Sequence, residues 1–130
     1  MTQKTKFALC DCEHSMTLDA DAIAKALGLA GAPAANTQLC RAQIENFKAM
    51  AVGGVPFVTT CTQEAPLFSE VLAEMEGAPD VAFTNIRERA GWSEEGGHAT
   101  PKIAALLAEA ALDSPDVPTV TMKSEGTCLV

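Results

Sequence analysis

Cys10 and Cys12 stand one residue apart where the apolar run Phe7-Ala8-Leu9-Cys10 gives way to polar chain, and nothing apolar follows until Met16. A short buried strand ending there would deliver two soft sulfur ligands to the point at which the backbone leaves the core. Two later runs end the same way. Thr37-Gln38-Leu39-Cys40 reads as a weak strand, and Val55-Pro56-Phe57-Val58-Thr59-Thr60 reads as the clearest strand in the chain, with Cys61 at its end. Four thiols at three equivalent strand ends are a donor set for metal or redox chemistry.

Four thiolates suit zinc in a closed structural site and also suit a [4Fe–4S] cluster. Zinc ribbons usually bring their ligands in Cys-x-x-Cys knuckles, which this sequence lacks. A cubane needs sulfurs spread around a larger object, and widely separated loops supply these more naturally, so the iron–sulfur reading is preferred. Other readings stay open. A lone cysteine at a strand end is commonly a small buried hydrophobe. A reversible dithiol, Cys10 with Cys61 for instance, or a sulfur-carrying persulfide on one thiol, would also use closely approaching cysteines. Cys128, near the chain end, is set apart from the four.

The elements that must position these thiols alternate. The first strand is expected over Lys6–Cys10. Thr17 is a candidate cap for a helix with Leu18, Ala22, Ile23, Ala26 and Leu27 on one face, ended by Gly28. A helix over about 41–51 turns Ile44, Phe47 and Ala51 inward, and Gly53-Gly54 ends it. Thr62 is a candidate cap for the next helix, with Pro66 in its first turn and Leu67, Val71, Leu72 and Met75 as its apolar face. Val81–Ile86 reads as a fourth strand, 87–99 as a long polar loop, and Thr100-Pro101 as the start of a helix with Ile103, Leu106, Leu107, Ala110 and Ala111 inward, ended by Ser114-Pro115. Val117–Met122 reads as a fifth strand. Strands alternating with helices at this spacing imply a small Rossmann-like three-layer α/β domain, with a mostly parallel sheet of four to five strands. The strand C-termini of such a sheet share one edge, so Cys10, Cys12, Cys40 and Cys61 should converge there. The N–H groups at the helix starts after Cys40 and Cys61 should favour thiolate over thiol.

Composition narrows the classes. At 130 residues the chain is a single domain by length, and its 48% hydrophobic content suffices for a core without disulfide staples. A net charge of −8 argues against a phosphate-neutralising surface for nucleic acid and lends no support to a basic patch for membranes. The apolar run after the charged start, Met1–Lys6, is too short for a signal peptide, so a cytoplasmic protein is expected. Five cysteines in a reducing compartment point to metal or redox chemistry rather than a disulfide framework. No nucleophile elbow or glycine-rich phosphate loop is found, which leaves hydrolase and nucleotide-binding readings without support.

Several further residues are placed on the same rim. Arg87, Arg89 and Trp92 follow the fourth strand, where they would either form a lid or docking surface and offset cluster charge, or belong to a surface loop pinned by one tryptophan. Arg41 beside Cys40 would raise a cluster's reduction potential, whereas Asp11, Glu13 and Glu64 would lower it. Arg41, Thr62, Arg87 and Trp92 are the candidate cofactor-binding side chains. His98 and His14 are expected in capping or solvated turn positions rather than as ligands.

Cys10-x-Cys12, Cys40 and Cys61, followed by Asn85-Ile86-Arg87-Glu88-Arg89-Ala90-Gly91-Trp92 and His98-Ala99-Thr100-Pro101-Lys102, resemble the N-terminal domain of the flavin-carrying subunit of heterodisulfide reductase and related domains heading bacterial multi-domain ferredoxin-like proteins. The resemblance runs through nearly the whole chain, and the Asn-Ile-Arg-Glu run with Gly-Trp is its most specific part. It implies an electron-transfer module holding a [4Fe–4S] cluster on Cys10, Cys12, Cys40 and Cys61, part of an oxidoreductase rather than an enzyme on its own. Implied partners are flavin- or ferredoxin-type electron-transfer domains, in the same chain or in a partner subunit. These 130 residues contain no flavin fingerprint and no close-spaced ferredoxin cysteine run. They are therefore read as the N-terminal module of a longer chain, with a cut or linker near 124–130.

Overall fold

The computed structural model of the chain describes residues 5–115 and 117–129; the charged start up to Lys4, and Val130, lie outside them. Four parallel strands, β1 (Lys6–Cys10), β2 (Ala35–Asn36), β3 (Phe57–Thr59) and β4 (Val81–Phe83), form one sheet in the order β2-β1-β3-β4. β1 is the hub. It pairs β2 at Leu9↔Ala35 and Cys10↔Asn36, and β3 from Lys6↔Phe57 to Ala8↔Thr59. β4 aligns Val81 with Phe57 and Phe83 with Thr59.

Side-chain alternation divides the core between the two faces of the sheet. Phe7, Leu9 and Val58 face one side, where they pack with Met16, Ile23, Ile86, Ile103 and Leu107. Helices α1 (Ala20–Ala26) and α4 (Thr100–Ala110) cover that side. Ala8, Cys10 and Phe57 face the other, with Leu39, Phe47, Ala51 and Phe68. Helices α2 (Ile44–Ala51) and α3 (Ala65–Ala73) cover it. Phe47, fully buried, lies 5.4 Å edge-on from Phe57 and 4.4 Å from Phe68, and Phe68 stacks on Phe83 at 6.1 Å.

Local chemistry sets the element ends, in places differently from expectation. Asp19, not Thr17, caps α1, its carboxylate accepting the Ala22 N–H at 2.9 Å. Gly28 closes the helix at φ +64°: its N–H bonds Lys25 O and the Leu29 N–H bonds Ala24 O, the paired pattern that satisfies the last carbonyls. The second strand is Ala35–Asn36 rather than 37–40. Gln43 captures the following backbone, its Oε1 accepting the N–H groups of Thr37 and Gln38 at 2.7 Å each, so residues 37–43 turn instead of extending. Helix α3 starts behind Glu64 without a side-chain cap; only the Thr62 carbonyl takes part, accepting the Ala65 N–H at 3.3 Å. Phe68 rather than Leu67 is its buried residue. Thr100 is the first residue of α4, with Pro101 in its first turn as expected and Ala99 in the cap position.

Two larger corrections concern the last third. Val81–Ile86 yields a strand of three residues only, and 87–99 is not an open loop. Arg87–Gly91 forms a π-helical turn, with the Gly91 N–H bonded to Ile86 O and the Trp92 N–H to Arg87 O, both at 2.8 Å; Gly96–His98 forms a 3-10 turn. Buried Ile86, Ala90 and Ala99 anchor this segment against α4. The fifth strand is absent among the described residues, and 117–122 is irregular and exposed. Crossover handedness explains this. The steps from β2 to β3 and β3 to β4 move outward with their helices on the α2–α3 face. The step from β1 to β2 moves the other way with α1 on the opposite face. Because α4 lies beside α1, a right-handed connection leads back toward β2, not past β4, and the chain leaving α4 is not delivered to the open edge.

Candidate functional site

Strand order reverses between β1 and β3, and ligands of open parallel sheets bind outside the strand C-termini at such a reversal. Cys10 ends β1, Cys61 follows β3 by two residues, and Cys40 follows β2 by four. These three and Cys12 all line one cavity of about 260 Å³ at that edge, together with Arg41, Thr62 and Arg87. The convergence expected from the cysteine pattern is therefore present. Trp92 does not line the cavity and stands behind Arg87; His14, His98 and Arg89 are exposed outside it. Cys128 is exposed, and all five cysteines are free thiols.

Each thiol is held by a different device. The Cys10 N–H donates to Thr60 Oγ1 at 3.0 Å, and that hydroxyl donates to Ala8 O at 3.3 Å, which laces β3 to β1 beyond their last paired residues. Asn36, buried at the end of β2, donates from Nδ2 to Leu9 O and accepts from Asn46 Nδ2, both at 2.9 Å. With Gln43 it fixes the loop carrying Cys40, and buried Leu39 ties that loop to the aromatic core. Cys61 is packed against the same aromatic cluster.

Cys12 is held by strain and by charge. Cys12, Glu13 and His14 have φ of 53°, 60° and 60°, three consecutive non-glycine residues in the left-handed region. Asp11 braces this turn, accepting the His14 N–H at 2.9 Å and pairing with His14 Nδ1 at 3.1 Å. The Glu13 N–H bonds Thr37 O at 2.7 Å, and the Ser15 N–H closes onto Cys12 O at 3.2 Å. From the other side, Arg87 Nη1 donates to Cys12 Sγ at 3.0 Å. Arg87 is itself fixed: it pairs with Glu88, with Nε at 2.9 Å from Oε1, and its guanidinium lies 4.2 Å over the Trp92 ring. Trp92 Nε1 then donates to Ser15 Oγ at 2.8 Å, and Ser15 Oγ donates to Asp11 O at 3.3 Å. A closed circuit of side chains thus runs from the Asp11 backbone through Ser15, Trp92 and Arg87 to Cys12.

Two glycines make that circuit possible. A Cβ on Gly91 would come within 2.3 Å of Met16 Sδ, and one on Gly96 within 2.2 Å of Gly91 O. Only hydrogen at these positions lets the π-turn settle on Met16 and the 3-10 turn settle on the π-turn.

Electrostatics correct one expectation. Burial pushes the Cys40 thiol up, with the nearby Cys61, Glu64 and Cys10 adding to the shift. It also pushes Cys61 up, against the lowering effect of the N–H groups of Glu64 and Gln63 and of Arg87. The helix starts after Cys40 and Cys61 do not outweigh desolvation. The Arg87 guanidinium holds the Glu88 carboxyl below the usual carboxylate range. Among the described residues, no three His, Cys, Asp or Glu side chains stand close enough together to grip one metal ion.

Sequence reasoning missed Ser15, Thr60, Asn36 and Gln43, which position the thiols without contributing one. Thr60 carried a readable signal, a hydroxyl at the strand end immediately before a cysteine; the other three did not. No helix among the described residues is long and apolar enough to cross a membrane. No family model matches the chain, and no curated protein and no solved structure matches it either.

Proposed function

We propose that this domain is an electron-transfer module that holds a [4Fe–4S] cluster through Cys10, Cys12, Cys40 and Cys61. The observation that carries the proposal is the convergence of four free thiols, from three strand ends, on one cavity at the topological switch point. An all-sulfur donor set suits iron–sulfur chemistry, and sulfurs distributed around a cavity rather than gathered on one point suit a polynuclear centre better than a single zinc ion. The cluster would supply one-electron storage with no bond chemistry.

This chain's own residues would bind, shield and tune. Cys10, Cys40 and Cys61 are backed by the aromatic layer of Phe47, Phe57 and Phe68, which keeps water from one side. Thr60, Gln43 and Asn36 fix the backbone from which the sulfurs project. Arg41 and Arg87 offset negative charge in the cavity, against Glu13, Glu64 and Glu88. The partners proposed are flavin- or ferredoxin-type electron-transfer domains, in the same chain or in another subunit, within a heterodisulfide reductase-like oxidoreductase of the cytoplasm.

Anaerobic reconstitution with iron and sulfide tests this. The expected product is a coloured protein with four irons and four sulfides per chain, bleached by dithionite with appearance of a paramagnetic signal. Cys61→Ala should lose or convert the centre, and Cys128→Ala should retain it. A colourless protein with one tightly held zinc would establish the structural zinc module instead. A protein that takes up neither metal would leave thiol or persulfide chemistry.

A further inference from the structure

The four thiols are not equivalent. Cys10 belongs to the aromatic core cluster, and Cys40 and Cys61 pack against it. Cys12 stands apart on the strained turn, and Arg87 donates a hydrogen bond to its sulfur. An arginine guanidinium stays charged at any pH the protein survives, and its planar fork fixes direction as well as charge. Here every neighbour of that fork is specified. Glu88 takes Nε, the Trp92 ring lies beneath, and Trp92 is tied through Ser15 to the same turn that carries Cys12. Trp92 remains 52% exposed although it is the single tryptophan of the chain. A tryptophan retained for core packing would be turned inward; this one supports a cation.

We propose that Trp92 and Ser15 are positioning residues that act through Arg87 to hold a positive charge on Cys12, making Cys12 the electronically distinct ligand and raising the reduction potential of the centre. This rests on the iron–sulfur reading above. Reduction adds one electron, and so one negative charge, to the cluster and its thiolates; no bond is made or broken, and the electron comes from an external low-potential donor. A hydrogen bond and a positive charge at a ligand sulfur both stabilise the more negative, reduced state. Glu88 acts in the opposite sense, because its carboxylate cancels part of the guanidinium charge at the same place.

The test is the midpoint potential of the reconstituted protein, read by dye-mediated titration with dithionite, with iron content as the control. Arg87→Met should retain four irons and shift the potential to more negative values. Trp92→Leu should shift it the same way by less, and Arg87→Lys should restore part of the loss. Glu88→Gln should shift it to more positive values. Opposite signs from two neighbouring residues would not follow from a purely structural role. An unchanged potential in Arg87→Met, with the cluster intact, would overturn the proposal and leave the electron-transfer reading standing.

A second measurement uses the metal-free protein, with iodoacetamide labelling of each thiol followed by mass spectrometry. Arg87→Met and Trp92→Leu should change the rate at Cys12 severalfold while leaving Cys10, Cys40 and Cys61 unaltered. Equal rates in wild type and both variants would overturn the circuit whether or not a cluster forms. If the wild-type protein takes up no iron, the potential-setting role falls with the iron–sulfur reading. A selective change at Cys12 would then locate the fault in that reading and not in the Arg87 contact.

Discussion

The two sides of the sheet support the thiols by different physics. On the α2–α3 side, three cysteines are backed by interlocked phenylalanines, and their positions follow from burial. On the α1–α4 side the core is mainly aliphatic, and the fourth cysteine is placed by a left-handed turn, two glycine contacts and a guanidinium. Apolar burial is non-directional and scales with the area removed from water, whereas a charged hydrogen bond depends on direction and is screened by salt. The site therefore combines a stiff wall with an adjustable arm.

The contrast can be broken from the wall side first. Phe47→Ala removes the ring at the centre of the aromatic layer and should cost about 3–5 kcal/mol in urea unfolding. Increased alkylation should appear at Cys10, Cys40 and Cys61 before Cys12. A loss under about 1 kcal/mol would show that the layer does not act as a unit.

From the other side, Gly96→Ala forces a methyl against the Gly91 carbonyl and should cost about 1–3 kcal/mol. It should free Trp92, seen as a change in tryptophan fluorescence, and alter labelling at Cys12 alone. A spectrum and a stability identical to wild type would contradict the close approach of the two turns.

A graded effect follows from titration of the wall thiols. Cys40 and Cys61 have raised values in the folded protein, so over the window between the unfolded and folded values the native state holds more protons. Their contribution is fully present below the ordinary cysteine range and is lost as pH rises through the folded values. Unfolding midpoints should therefore fall above the ordinary cysteine range, and the double variant Cys40→Ser, Cys61→Ser should flatten that fall. The smallest effect expected is that of Asp11→Ala, about 0.5–1 kcal/mol, from loss of the acceptor for the His14 N–H. It should raise backbone amide exchange at residues 12–15 and nowhere in the α2–α3 layer.

Periodicity made the α/β class, the four element pairs and the meeting of Cys10, Cys12, Cys40 and Cys61 legible in the sequence, because each rests on a local apolar pattern ending at a defined residue. The extent of β2 was not legible, since Gln43 reaches back across five and six residues to take the backbone that Thr37–Cys40 would have used in a strand. The π-turn at Arg87–Gly91 was hidden by its polar composition; only three-dimensional packing shows that Ile86, Ala90 and Ala99 face inward. Val117–Met122 has the composition of a strand, but the α1-side placement of α4 is a property of the whole topology and decides against it. Arg87 was legible as a rim charge. Its pairing with one particular sulfur spans 75 residues of sequence, the supporting bond from Trp92 to Ser15 spans 77, and neither left a local trace.

The turn at Cys12, Glu13 and His14 bears on how the domain opens. Three L-residues in mirror-image helical backbone cost about 1–2 kcal/mol each, on the order of 3–6 kcal/mol together, against a total stability of about 5–15 kcal/mol for a domain of this kind. That is a loaded spring held shut by a handful of latches: the Asp11 carboxylate, the Thr37 carbonyl and the Trp92 indole. Loss of a latch should let this segment relax toward ordinary backbone while the sheet stays folded, which would show as faster amide exchange at residues 12–15 and freer movement of the Cys12 sulfur.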